Sequence, residues 1–298
     1  MNRYINCIAD NSSEGNLLIG SDYTALIDCG MMFCHKETMK KVKDGLKGRT
    51  LDYIIFSHTH YDHIGALPFF KNEWNNLRVI SCKTGAEILQ KSTPRKVIRE
   101  LSIVAAKTNH VELNLDYNDD VFSADIIVKD NDIISLGDLS IRVIETPGHT
   151  RDSLSFFIPE LELLILNETM GVLFSDPSDC DSNGPIERMY PCYLTSYNDT
   201  MNSIKKCSQI SFKYLSLPHR SVISREISDA YFEKAYEANR ICRDFILDMK
   251  DKNLSEEEML NAFYNKYSNE VMLTYQPKEA FLANAKATIA CTLRECVS

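Results

Sequence analysis

Short apolar runs of four to six residues recur along the first three quarters of this chain, separated by stretches with a different rhythm. The runs near residues 16–20, 23–28, 53–56, 77–81, 125–129, 139–144, 153–158, 161–166 and 212–217 are rich in β-branched and aromatic side chains and read as strands. Between them, apolar residues return every three or four positions. In Glu37–Lys47 the residues Met39, Val42 and Leu46 share a face, and Gly48 stops the helix. Residues 84–90 and 96–107 read as helical too. Alternating strands and helices favour a layered α/β domain.

The rhythm changes near residue 226. From Ser228 onward the pattern gives three helices and no strand. Tyr231, Ala235, Ala238, Ile241, Cys242, Phe245 and Met249 repeat at helical spacing. A second helix opens on Ser255-Glu256-Glu257-Glu258, a capping box, and carries Met259, Leu260, Phe263 and Tyr267. A third opens at Pro277 and carries Phe281, Ala285, Ile289 and Leu293. The chain therefore divides into a domain of residues 1–225 and a helical extension of residues 226–298. The extension has three roles open to it: covering one side of the domain, roofing a cleft, or forming a homodimer face.

Chemistry concentrates where one strand ends. His58-Thr59-His60-Tyr61-Asp62-His63 follows the run Tyr53–Phe56 directly and precedes Ile64-Gly65-Ala66-Leu67, which opens a helix. A single histidine at a strand end is an ordinary satisfied polar residue. Three of the chain's seven histidines plus a carboxylate within six residues are different, because desolvating several imidazoles together is costly without a partner. Imidazole and carboxylate are the donors that divalent metals prefer. One ion cannot easily use all four groups, but two adjacent ions can. Further donors stand at other strand ends: His149 past the turn Thr146-Pro147-Gly148, Glu168 after the run 161–166, and His219 after Tyr214–Pro218.

With these motifs in this order, residues 15–220 resemble the metallo-β-lactamase-fold hydrolase superfamily, in particular its glyoxalase II, lactonase and thioesterase-like branches. Ala25-Leu26-Ile27-Asp28-Cys29-Gly30 is similar to the family's strand-end aspartate segment, His58 to His63 to its HxHxDH signature, and His149 to the histidine of its PGHT motif. The resemblance implies an αβ/βα sandwich of two mixed sheets flanked by helices. It implies two divalent metal ions, zinc ahead of iron or manganese. His58, His60 and His149 would hold one ion, and Asp62, His63 and His219 the other. The family's bridging aspartate falls in a Gly-Asp pair that reads Asn167-Glu168 here, which assigns the bridge to Glu168, one methylene longer, and leaves Asn167 the lesser role. Asp28 would fix the ligand loop by hydrogen bonds, and Asp62 would both ligate and orient the nucleophile. The implied reaction is hydrolysis of a small ester, thioester or lactone by a metal-bridging hydroxide. Tyr61 stands where it could line a substrate pocket, and specificity is expected in residues 174–198 and the C-terminal helices.

Two other classes remain open on sequence grounds. Oxygen or redox chemistry at a di-iron centre, as in flavodiiron proteins, usually goes with glutamate at the second position of the signature, where this chain has His60, and with a fused flavodoxin domain. A non-catalytic regulatory scaffold would have no need of all seven donors. Charge narrows the partners. A net charge of −9 argues against a nucleic-acid backbone as partner and leaves a small-molecule substrate. No apolar run is long enough to span a bilayer, so no membrane partner is expected. The first residues lack the apolar stretch of a signal peptide, and ten scattered cysteines without a CxxC pair fit reduced thiols in a cytoplasmic protein. Cys29 and Cys34 lie near the donors and are expected to be small buried hydrophobes.

Overall fold

A computed structural model describes residues 3–9, 13–113, 115–173, 189–219, 222–268 and 278–297. The expected specificity segment 174–198 is thus described only from residue 189, and Pro277 lies outside the described residues. The chain forms two compact units: Met1–Glu145 with Leu154–Leu161, and Thr146–Ser153 with Glu162–Ser298.

The first unit is built on a six-stranded sheet. Its strands are β1 (Tyr4–Asn6), β2 (Asn16–Ile19), β3 (Thr24–Ile27), β4 (Tyr53–Ile55), β5 (Arg78–Cys82) and β6 (Ile126–Val128), in that spatial order. β1 to β3 pair antiparallel, and β3 to β6 pair parallel, with Ile27 opposite Ile55 and Ile55 opposite Ile80. Every residue of β2 and β3 is buried, as expected of strands covered on both faces. The parallel pairs need crossover helices, and the chain supplies α1 (His35–Leu46), α2 (Tyr61–Ile64), α3 (Leu67–Glu73), α4 (Lys83–Leu89) and α5 (Ser92–Thr108). α1 lays Thr38, Val42 and Leu46 on a core that includes Leu17, Leu26, Ile54, Phe56, Phe70 and Val79. α5 starts at Ser92, four residues before the apolar repeat suggests. Pro94 falls in its first turn, where the missing N–H costs nothing. Three antiparallel strands, β7 (Ile133–Ser135), β8 (Ser140–Glu145) and β9 (Leu154–Ile158), complete the unit. The Leu154 N–H donates to the Ser57 carbonyl at 2.7 Å, which ties the start of β9 to the end of β4.

In the second unit β10 (Leu163–Ile165) runs parallel to β13 (Tyr214–Ser216), which pairs antiparallel with β14 (Val222–Ser224). β11 (Val172–Leu173) and β12 (Met189–Tyr190) form a separate antiparallel pair. The helices are α6 (Tyr197–Ser208), α7 (Arg225–Asp251), α8 (Glu256–Tyr267) and α9 (Lys278–Cys296). The last three are the C-terminal helices read from the sequence, and Ser255 and Glu258 form the expected capping box. They are not a separate layer. Cys242 and Ile246 of α7, Phe263 of α8 and Phe281 and Ala285 of α9 share one core with Val172, Tyr190, Tyr193 and Tyr197. Among the described residues no helix is long and apolar enough to cross a membrane.

Candidate metal centre

Asp28 is the first residue past β3, and its backbone enters the left-handed region at φ +57. Aspartate is one of the few non-glycine residues that adopts this conformation readily. The turn buries its carboxylate, which is 1% exposed. Oδ1 accepts the Ser57 N–H at 2.7 Å, and Oδ2 accepts the His63 Nδ1–H at 2.9 Å. Since a carboxylate only accepts, His63 carries a proton on Nδ1, and the neutral ring keeps its lone pair on Nε2. Two more bonds lock this corner: the His63 carbonyl accepts the N–H groups of Cys29 and Gly30, at 2.8 and 2.9 Å. Gly30 itself sits at φ +78, and a Cβ there would come within 2.1 Å of the Ser13 hydroxyl.

The rest of the histidine cluster follows from the strand-to-helix turn. His60 is extended and caps α2, so its carbonyl accepts from the N–H groups of His63 and Ile64 while its ring leaves the helix end. The His58 ring lies 4.6 Å from that of His60 and 4.0 Å from that of His63, centroid to centroid. His58 and His60 offer ring nitrogens within 4.8 Å of each other, and so do the Asp62 carboxylate and His63. Asp62 Oδ2 stands 3.8 Å from His63 Nε2. Ser57, which the sequence reading did not single out, places its hydroxyl 3.1 Å from His58 Nδ1 and 3.2 Å from His63 Nδ1. Tyr61 is mostly buried, and burial, with the neighbouring Asp62 charge adding to it, holds its phenol in the neutral form. Cys29 is fully buried, and burial followed by the Asp28 charge raises its thiol well above the ordinary range, so it is the inert hydrophobe expected. Cys34 is half-buried, with its thiol 3.5 Å from the Met31 carbonyl.

The donors of the second unit have their own scaffold. His149 follows Gly148, whose φ of +142 and close neighbours, with Thr200 Oγ1 2.0 Å from a notional Cβ, admit no side chain. The His149 ring donates from Nδ1 to the Cys192 carbonyl at 2.7 Å, so Nε2 again keeps the lone pair. Glu168 heads a 3-10 turn, Glu168–Met170, just beyond β10. Asn167 caps that turn: Oδ1 accepts the Thr169 N–H at 2.8 Å, and Nδ2 donates to the Thr146 hydroxyl at 2.7 Å. The Thr169 hydroxyl donates to the Thr146 carbonyl at 2.8 Å and accepts the His149 N–H at 3.2 Å. Glu168 and His149 are thereby referenced to the same strand end. His219 follows Pro218 at φ +58, and its Nε2 lies 3.0 Å from Glu168 Oε1. Asn167 is therefore a structural cap of the donor turn, a role larger than its alignment with the family's Gly-Asp pair suggested. Thr169, the Cys192 carbonyl and the capping role of Asn167 were not evident in the sequence, although an asparagine before an acidic residue at a strand end is a readable cap signal.

Each unit thus gathers imidazole and carboxylate donors at strand ends, with His63 and His149 anchored through Nδ1. That is the donor chemistry of a divalent-metal site. Comparison with known proteins agrees. The chain is 25% identical over 226 residues to the metallo-beta-lactamase fold-containing protein ST1585 of Sulfurisphaera tokodaii, covering 73% of this chain and 76% of that one. The structure of ST1585 from Sulfolobus tokodaii superposes with a TM-score of 0.58 at 22% identity, over 78% of this chain and 86% of that chain. A nitric oxide reductase of Moorella thermoacetica is 29% identical over 158 residues, 52% of this chain and 33% of that protein. A hydroxyacylglutathione hydrolase of Francisella tularensis subsp. novicida is 29% identical over 161 residues, 53% of this chain and 60% of that enzyme. The fold expected from the sequence, an α/β sandwich of mixed sheets flanked by helices with C-terminal helices, is the fold of these neighbours. Residues 16–219 match the Metallo-beta-lactamase superfamily, a span that takes in every strand-end donor from Asp28 to His219, and the chain belongs to that superfamily.

Proposed function

We propose that this protein is a metal-dependent hydrolase of a small ester, thioester or lactone. His58, His60 and His149 would hold one divalent ion, Asp62, His63 and His219 a second, and Glu168 would be available to both. One observation carries the reading: histidines at two different strand ends are each fixed in the Nδ1–H form, His63 by Asp28 and His149 by the Cys192 carbonyl. Protein builds such an anchor where the opposite nitrogen must face a cation in one orientation.

When bound, the two cations supply a Lewis acid for the scissile carbonyl and lower the pKa of a water towards neutrality. The chain's own groups do the rest. Asp28 and Ser57 hold the His58 and His63 rings against rotation. Asp62, partly exposed and beside His63 Nε2, is the carboxylate placed to orient the nucleophile and take up its proton. The net charge of −9 favours a small acyl substrate over a nucleic acid. The hydroxyacylglutathione hydrolase relative supports an acyl substrate carried on a thiol. The nitric oxide reductase relative supports a second reading, redox chemistry on the same fold.

Elemental analysis of gently purified protein, followed by a panel of acyl thioesters, lactones and phosphodiesters, separates these readings. About two metals per chain and acyl hydrolysis are expected. One metal at saturation sinks the dinuclear assignment. Iron at both positions with nitric oxide consumption and no hydrolysis favours the second reading. Cleavage of RNA or DNA without acyl hydrolysis rejects the lead one.

A further inference from the structure

The segment Cys192–Ser196 touches the His149 loop on both of its sides. The Cys192 carbonyl accepts from His149 Nδ1 at 2.7 Å. Three residues on, the Thr195 N–H and hydroxyl donate to the Gly148 carbonyl, both at 3.0 Å, and the Ser196 N–H does so at 3.3 Å. The orientation of the His149 ring is therefore set by where residues 192–196 lie.

What fixes that segment is the last turn of α9, a hundred residues later. Tyr193 is fully buried and its hydroxyl lies 2.9 Å from Thr292 Oγ1. The Thr292 hydroxyl spends its one proton on the Thr288 carbonyl at 3.0 Å, so Tyr193 is the donor of the pair. Burial keeps that phenol protonated for the task. Two residues further, Arg294 Nη2 donates to the Thr195 carbonyl at 2.6 Å. Glu295 Oε2 accepts the Ser196 hydroxyl at 3.2 Å and the Asn198 N–H at 3.1 Å. Thr292, Arg294 and Glu295 thus hold Tyr193, Thr195 and Ser196, three points of the segment that holds His149.

We propose that the last turn of α9 is a positioning element for the metal ligand His149, with Thr292 and Glu295 as its principal residues. This rests on the assignment of His149 as a ligand. It gives the C-terminal helices a role in the reaction without requiring them to touch substrate. A ring free to turn away from one orientation is a weaker ligand, so loosening the segment raises the dissociation constant of the ion that His149 holds. Substitution of groups that orient a ligand imidazole typically costs 10–100-fold in metal affinity, and a contact one step removed is expected near the lower end, about tenfold.

The test is cobalt(II) titration of the full metal-free chain, followed by absorption, with thermal unfolding recorded alongside. Thr292→Val keeps the shape and removes the hydroxyl, Glu295→Leu keeps the bulk and removes the acceptor oxygens, and Thr292→Ser is the conservative control. The expected result is about tenfold weaker binding of one of the two ions in Thr292→Val and in Glu295→Leu, restored in Thr292→Ser. In a His149→Ala background the same substitutions should change affinity no further. Affinity equal to wild type in both variants, or an equal loss with and without His149, overturns the brace even where the melting temperature falls. If Thr292→Val does not fold, Glu295→Leu decides by the same criteria. A wild-type chain that binds no cobalt, or a His149→Ala variant that binds as wild type, overturns the ligand assignment and the brace together. A wild type weakened by His149→Ala but not by the α9 variants overturns the brace alone.

Discussion

Asp28 and His63 stand thirty-five residues apart in the chain and form a buried pair, each 1% exposed, with the carboxylate accepting the Nδ1–H at 2.9 Å. Asp28 is also the acceptor for the Ser57 N–H, so one side chain closes the ends of β3 and β4 and fixes a ring tautomer. Asp28→Asn tests that double role. Asparagine tolerates the left-handed backbone at this position, so the fold is kept. Its amide offers one oxygen to two donors. Either Ser57 or His63 then meets an NH2 group, and His63 relieves the clash by moving its proton to Nε2. Metal affinity should fall by about 10–100-fold in a competition assay. Unchanged affinity would show that the pair serves packing alone.

Glu168 and Asn167 are adjacent but do different work. Asn167 is 1% exposed and satisfies both the Thr169 N–H and the Thr146 hydroxyl. Asn167→Ala removes one hydrogen bond from each of these buried groups and should cost about 1–3 kcal/mol of stability in denaturant unfolding. Glu168→Gln should weaken metal binding sharply with a smaller loss of stability, since it keeps size and shape. The same pattern in both variants, whichever it is, would show that the turn rather than the carboxylate matters.

The strand ends, the histidine cluster and the main helices were legible because each is a long-period or high-density signal. Four donors in six residues at the end of β4 stand out from any background, and α1 shows its face through Val42 and Leu46. Several short elements outside the longer apolar runs did not show. β1, β7, β14, β11 and β12 are two or three residues long, too brief for an alternation to appear. α6 was missed because its buried face includes Thr200 and Ser203 beside Ile204 and Cys207, which breaks the apolar repeat. The acceptor for His149 is a main-chain carbonyl, and any residue at position 192 would supply it. No residue type announces such a partner, and the Tyr193–Thr292 contact spans ninety-nine positions.

His35 predicts a pH dependence away from the metal donors. Its ring stacks on Phe69 at 3.6 Å and lies 2.8 Å from the Met32 carbonyl through Nδ1. Burial lowers its pKa below the ordinary 6.5, with the Met32 carbonyl opposing and Lys36 adding slightly. The unfolded chain therefore takes up this proton more readily than the folded one. The contribution of His35 to stability is complete above the ordinary value and is lost as pH falls through it towards the lower folded value. Unfolding free energies measured between about pH 7.5 and pH 5 should fall less steeply in His35→Gln than in wild type. An identical slope would place the titration elsewhere.

The C-terminal helices predict a graded set of core substitutions. Phe263 and Phe281 are fully buried, with ring centroids 6.2 Å apart, and both meet Tyr190 of β12. Phe245 on α7 is only partly buried, with the Lys266 ammonium 4.7 Å from its ring centre. Removing a fully buried phenyl loses transfer energy and leaves a cavity, about 3–5 kcal/mol for Phe→Ala. Removing Phe245 exposes less new surface, and water and the lysine stem can fill the gap. Phe281→Ala and Phe263→Ala should therefore lower the unfolding free energy by several times the loss in Phe245→Ala, read from denaturant midpoints at constant slope. The same core explains why truncation near residue 228 should not yield a soluble domain. Val172, Tyr190, Tyr193 and Tyr197 precede the cut and bury their side chains against helices that follow it. Exposing three aromatic rings and a valine together creates an apolar patch of the kind that drives aggregation. Expression of residues 1–228 should give insoluble protein, whereas Phe245→Ala in the full chain should remain soluble. A soluble truncated chain with the metal content of the full one would show that the metal-binding part folds without the core described for the second unit.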